Sequence, residues 1–118
     1  MKQITLLAIA VCLCTAAFAQ QSKVVAHRGY WKTLGSAQNS IRSLVKADSI
    51  HCWGSEFDVW STADGVLVVN HDASVNGIAI ATSHSHEVLS QTLANGEYLP
   101  SLESYLEQCK ARPDINVV

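Results

Sequence analysis

Three short β-prone runs in this 118-residue chain each end in, or carry, chemically active polar residues, and that recurring pattern constrains the fold most. Lys23–Ala26 leads into His27-Arg28-Gly29. The alternating segment Glu56–Trp60 sets Glu56, Asp58 and Trp60 on one side and Phe57 and Val59 on the other. Val66–Val69 is apolar on both faces, as a buried strand is, and ends at Asn70-His71-Asp72. Between the first two runs, Tyr30–Gln38 reads as a loop around Gly35. Asn39 or Ser40 then caps a helix with an apolar stripe of Ile41, Leu44 and Val45, which fades near Asp48–His51. Ala63-Asp64-Gly65 is a turn signal that makes the third run the hairpin partner of the second. Residues 73–99 are weakly patterned, and His84-Ser85-His86 among them reads as a surface loop. Pro100-Ser101 opens a second helix with Leu102, Tyr105, Leu106 and Cys109 as its buried stripe; Pro113 stops it, and Ile115–Val118 begins a strand. Strand, helix, strand, hairpin partner, helix, strand is the rhythm of a parallel α/β sheet. A chain that stops in a nascent buried strand reads as the N-terminal part of a longer protein.

The first residues have a different character. Lys2 precedes an almost unbroken apolar run of 11 residues, Ile4–Cys14, and Ala17-Phe18-Ala19 follows. Charge, apolar core and A-x-A in that order predict a secretory signal peptide over residues 1–19, with the mature domain over 20–118. A stable membrane span needs about 20 apolar residues, so the run is too short for one. Cys12 and Cys14 raise lipidation, but Val11 and Leu13 stand where a small residue is required. The expectation is an exported protein, periplasmic or secreted. Export permits a disulfide between the two remaining cysteines, Cys52 and Cys109; two small buried hydrophobes is the alternative. With 8 Lys+Arg against 10 Asp+Glu, no excess of positive charge points to nucleic acid or an anionic membrane surface.

In α/β architectures the C-terminal ends of the strands line the ligand crevice. Arg28 can grip a phosphate through two parallel hydrogen bonds, His27 can move a proton near neutral pH, and Gly29 lets the backbone approach closely. A solvated strand-to-loop junction accounts for the same three residues. Glu56 and Asp58 share a strand face at a separation of roughly 6–7 Å. Facing a closed core, they need a cation, and a hard divalent ion such as Mg²⁺ or Ca²⁺ suits their oxygens; facing water, they are ordinary solvated acids. His71 suits a general acid or base oriented by Asp72, or a neutral histidine bonded at a strand end. A hairpin register with Glu56 opposite His71 puts both acids and the imidazole on one face.

Taken in order, His27-Arg28-Gly29, Gln38-Asn39-Ser40, Glu56-Phe57-Asp58-Val59, Asp64-Gly65, Val68-Val69-Asn70-His71-Asp72 and Leu99-Pro100-Ser101-Leu102-Glu103 resemble the glycerophosphodiester phosphodiesterases. The resemblance implies a TIM-type (β/α)8 barrel, of which this chain carries roughly the first three strands. It implies hydrolysis of glycerophosphodiesters, small-molecule substrates, to glycerol 3-phosphate and an alcohol. By carry-over His27 and His71 are the acid/base pair, Arg28 holds the phosphate, and Glu56 and Asp58 bind a divalent cation, Ca²⁺ or Mg²⁺. Asn39 falls on the asparagine of the family's Glu-Asn-Thr motif and joins the phosphate-site candidates, while Gln38 and Ser40 depart from its flanks, Gln38 by losing a carboxylate. The family's further acidic ligand comes from the strand after the second helix, where this chain reaches Val118. A related phosphodiesterase acting on a lysophospholipid or cell-wall polymer, and a non-catalytic exported domain, are the competing readings.

Overall fold

The computed structural model describes residues 22–118, so the leader read over residues 1–19 lies outside the described residues. In chain order the elements are β1 (Val25–Ala26), α1 (Ile41–Ser49), β2 (Gly54–Ser55), β3 (Val59–Ser61), β4 (Leu67–Val69), β5 (Ser74–Val75), β6 (Ile78–Ala79), a 3-10 turn (Ile80–Thr82), α2 (Ser85–Val88), α3 (Leu102–Lys110) and β7 (Asn116–Val117). β1, β2 and β7 form a parallel sheet in that order, with Val25 opposite Gly54 and Gly54 opposite Asn116. The two main helices begin as the sequence predicts. Ser40 caps α1 by accepting from the Ser43 N–H at 3.0 Å, and Ser101 caps α3 by accepting from the Ser104 N–H at 3.1 Å.

Two apolar cores result. In the first, Leu44 and Ala47 of α1 and Tyr105 of α3 close over Cys52, Val69 and Ile115, with Phe57, Leu102 and Cys109 packed against them. The second gathers Val68, Val75, Ile80, Val88 and Leu99 beneath the hairpins. β4 lies between the two, giving Val69 to one and Val68 to the other, each burial worth about 1.5–3 kcal/mol. Its first residue differs from expectation, since Leu67 is 45% exposed.

Glu56–Trp60 is not one strand. Parallel pairing ends at Ser55 and antiparallel pairing starts at Val59, and the backbone donors between them pass from the parallel sheet to the Asn39 side chain. The Glu56 N–H donates to Ala26 O (2.9 Å), the Phe57 N–H to Val118 O (3.2 Å) and the Asp58 N–H to Asn39 Oδ1 (3.4 Å). The hairpin register also differs from the one with Glu56 opposite His71. Val59 faces Val69 and Ser61 faces Leu67, and the Asn70 N–H donates to Asp58 O at 3.1 Å. A shift of one residue exchanges the two faces, and the turn that fixes it is pinned by Thr62, whose N–H donates to Val66 O and whose hydroxyl donates to Asp64 Oδ1.

Residues 73–99 are more ordered than their pattern suggests. Val75 pairs with Ile78 across Asn76-Gly77, both with positive φ (49° and 82°), the two-residue hairpin that an Asn-Gly pair favours. His84-Ser85-His86 is not a loop but the start of α2, held there because the Ser85 N–H and hydroxyl both donate to Asp64. Cys52 and Cys109 are free thiols, packed as small hydrophobes on the first core. Among the described residues no helix is long and apolar enough to cross a membrane.

Candidate functional site

β1 and β2 end side by side, Ala26 opposite Ser55, so His27-Arg28 and Glu56-Phe57-Asp58 leave the sheet together at its C-terminal edge. Phe57 turns to the helix side, its ring centroid 4.8 Å from that of Tyr105. The acids turn toward Arg28. Arg28 sits at φ 60° and Gly29 at φ 77°, a left-handed pair that few side chains tolerate. A Cβ on Gly29 would lie 2.2 Å from Ser43 Oγ and 2.8 Å from Ser43 C, so α1 can approach only because the position is bare.

That tight turn aims its donors. The Arg28 N–H donates to Glu56 Oε2 at 3.0 Å, and His27 Nε2 lies 3.9 Å from the same oxygen. Arg28 Nη1 donates to Gln38 Oε1 at 2.8 Å. Its Nε is buried with no hydrogen-bond partner, 3.9 Å from Asp58 Oδ2. Asp58 Oδ2 accepts from Asn39 Nδ2 at 2.9 Å. Asn39, also at positive φ (59°), is 0% exposed and spends both ends of its amide on Asp58. The resemblance implied a phosphate contact for Asn39; in the fold its amide also positions the Asp58 carboxylate. Gln38, which seemed only to lose a charge, steers the guanidinium through its neutral oxygen. Its signal is the spacing alone, ten residues after Arg28 across a loop that folds back.

His71 is held differently. Its Nδ1 lies 2.7 Å from Asp72 Oδ1, and its backbone oxygen accepts from Trp60 Nε1 at 3.2 Å. These contacts fix the strand end and orient the imidazole, as expected of Asp72. They do not tie the ring to Glu56 or Asp58. His27, Arg28, Asn39, Glu56 and Asp58 thus form one connected group, and His71-Asp72 a second at the end of the neighbouring strand.

The donor chemistry of the first group fits part of a hard-cation site. Glu56 Oε1 and Asp58 Oδ1 accept no hydrogen bond among the described residues, while each partner oxygen is anchored. Among the described residues no cluster of three or more His, Cys, Asp and Glu side chains is arranged to hold a metal ion, so the two acids stand as a pair. Beside them the cationic face of Arg28 makes the edge suited to an anion that shares a cation with two carboxylates.

Comparison with known proteins bears on the family and the fold. Residues 27–108 match the model of the glycerophosphoryl diester phosphodiesterase family. The solved structure of a glycerophosphodiester phosphodiesterase from Parabacteroides distasonis is 55% identical, with TM-score 0.79, over 80% of this chain and 40% of that one. Another from Agrobacterium tumefaciens is 25% identical with TM-score 0.72, over 82% of this chain and 46% of that one. An Oleispira antarctica phosphodiesterase, solved with the product sn-glycerol-3-phosphate, shares the fold at TM-score 0.68 and 23% identity, over 86% of this chain and 45% of that one. No curated protein matches. The chain therefore spans less than half the length of these structures, and their likeness gives it a TIM-barrel-like fold of which the described residues form an open part. The matched stretch holds every motif from His27-Arg28-Gly29 to the capped start of α3, and the chain belongs to the glycerophosphoryl diester phosphodiesterase family.

Proposed function

We propose that this chain provides the phosphate-facing part of an exported enzyme that hydrolyses glycerophosphodiesters to glycerol 3-phosphate and an alcohol. The observation that carries the reading is the convergence of Arg28, Glu56 and Asp58 at one strand edge, with Arg28 and both acids held by part-buried hydrogen bonds. A phosphodiester is anionic and repels nucleophiles, so its charge must be offset before attack. Arg28 does this through the guanidinium N–H groups that Gln38 leaves free. Glu56 and Asp58 would hold a divalent cation, Ca²⁺ or Mg²⁺, which when bound neutralises charge on the phosphate. One of His27 and His71 accepts a proton from the attacking hydroxyl as the new P–O bond forms. The other donates a proton to the departing alkoxide as its P–O bond breaks. Asp72 holds the His71 ring by its Nδ1, leaving Nε2 for that transfer. The apolar leader over residues 1–19 supports export.

The test is turnover of glycerophosphocholine by the full-length protein with His27→Ala, His71→Ala, Glu56→Gln and Asp58→Asn variants. Each histidine variant is expected to lose roughly 10²–10⁴-fold in kcat. The acid variants are expected to shift the metal concentration needed for half-maximal rate upward. Unchanged turnover in both histidine variants would overturn the reading in favour of a non-catalytic domain.

A further inference from the structure

Resting on the phosphodiesterase reading, we propose that the cleft between the Trp31–Gln38 loop and the β5–β6 hairpin receives the departing alcohol and favours a neutral polyol. The cleft has a volume of about 450 Å³ and is lined by Trp31, Gln38, Asn70, Asp72, Asn76 and Thr92 among others. It adjoins both chemical groups. Gln38 is the residue that holds the Arg28 guanidinium, and Asp72 is the residue that holds His71. A phosphodiester gripped by Arg28 with His71 at its leaving oxygen directs the alcohol here.

The cleft mixes donors such as the Lys32 ammonium and the Ser36 and Ser74 hydroxyls with acceptors, and three of its acceptors are fixed. Asn70 Nδ2 donates to the backbone oxygens of Asp72 (2.8 Å) and Ser74 (3.2 Å). Asn76 Nδ2 donates to Thr92 O (3.0 Å) and Gln91 Oε1 (3.2 Å). A backbone carbonyl accepts only from donors, so both amides are fixed with Oδ1 as the atom left over. Asp72 Oδ2 is the third such atom, since Oδ1 meets His71. Among the described residues these three oxygens accept nothing.

A ligand that both donates and accepts hydrogen bonds matches this lining. A quaternary ammonium does neither, and Lys32, whose ammonium lies 5.2 Å from the Trp31 ring centroid, lines the same cleft and offsets the pull of Asp72 on a cation. A polyol brings several hydroxyls and an apolar C–H face for the Trp31 indole. Sites built to pair a hydroxyl reject analogues that lack it, because the site's own polar groups are then left unpaired. The acceptors are also preset. Asn95 Nδ2 donates to Gly35 O (3.3 Å) and the Arg42 N–H to Glu97 (3.2 Å), tying the loop and helix beside the cleft to the segment beyond it.

The experiment measures kcat/KM of the full-length protein on glycerophosphoinositol and glycerophosphocholine, with Asn76→Gly and Thr92→Val as variants. Glycine keeps the positive φ at position 76, and valine keeps the shape of Thr92. The expected result is a preference for the inositol ester that falls roughly two- to tenfold in each variant while choline-ester turnover holds. No preference in the unaltered protein overturns the proposal. Equal losses on both esters also overturn it, since the cleft would then serve the shared glycerol end or the fold. Saturation-transfer NMR with free myo-inositol and free choline gives a second readout. Inositol but not choline should bind, and Asn76→Gly should weaken it. A protein that hydrolyses neither ester fails the phosphodiesterase reading, and the cleft is then judged by the NMR alone: absence of inositol binding overturns it.

Discussion

Tyr105 is fully buried in the first core, yet its hydroxyl and that of neighbouring Ser55 have no hydrogen-bond partner. A buried hydroxyl left unpaired costs stability, so Tyr105→Phe should leave the fold unchanged or strengthen it by up to about 1 kcal/mol, read from urea unfolding. Burial also pushes the Tyr105 phenol up to about 12. A group whose folded pKa exceeds its unfolded value of about 10 gives its stabilisation in full below pH 10. That stabilisation is lost as pH rises from 10 toward 12, and in Tyr105→Phe the unfolding midpoint should flatten over this window. Gly29→Ala should do the reverse, costing about 3 kcal/mol by strain at φ 77° and the overlap with Ser43. At this scale much was legible. His27, Arg28, Glu56 and Asp58 announce themselves by residue type at strand ends. The positioning roles of Gln38 and Asn39 do not, because they depend on a loop folding back against residues 10 and 19 positions away.

Between elements, Asp64 joins the β3–β4 turn to the start of α2. The Ser85 hydroxyl first, and the Thr62 hydroxyl next, hold its carboxyl well below the usual carboxylate range. A depressed folded pKa gives stabilisation that is present above the ordinary value of about 4 and is lost as pH falls below it. Amide hydrogen exchange at Ser85–Val88 should therefore accelerate toward pH 3 relative to its intrinsic rate, and Asp64→Asn should remove that dependence. The same link explains why His84-Ser85-His86 misled: a helix of four residues has little periodicity, and its partner lies 21 residues upstream. The β5–β6 hairpin carried a readable signal in Asn76-Gly77. The break between β2 and β3 carried none, since Glu56–Trp60 alternates without interruption and only the destinations of its backbone hydrogen bonds end one sheet and begin another. Both helices were legible because cap, stripe and stop agree locally.

As a whole, the described residues form a three-stranded parallel sheet, two antiparallel hairpins and their helices, and a barrel of this kind closes with eight strands over about 250 residues. Closure matters chemically as well as mechanically. An open edge lets water reach Glu56 and Asp58, which are each roughly a third exposed, and water screens the charges that the proposed function assigns to a phosphodiester. The carboxylate pair also offers fewer protein oxygens than a Ca²⁺ or Mg²⁺ site ordinarily gathers. A polypeptide limited to residues 20–118 is therefore expected to show no metal-dependent hydrolysis of glycerophosphocholine, and chelator should make no difference to its background rate. Calorimetric titration should likewise find only weak Ca²⁺ or Mg²⁺ binding, unaffected by His71→Ala because the imidazole stands apart from both acids. Chelator-sensitive turnover by that polypeptide would mean that two acids, Arg28 and two histidines suffice without a closed barrel around them.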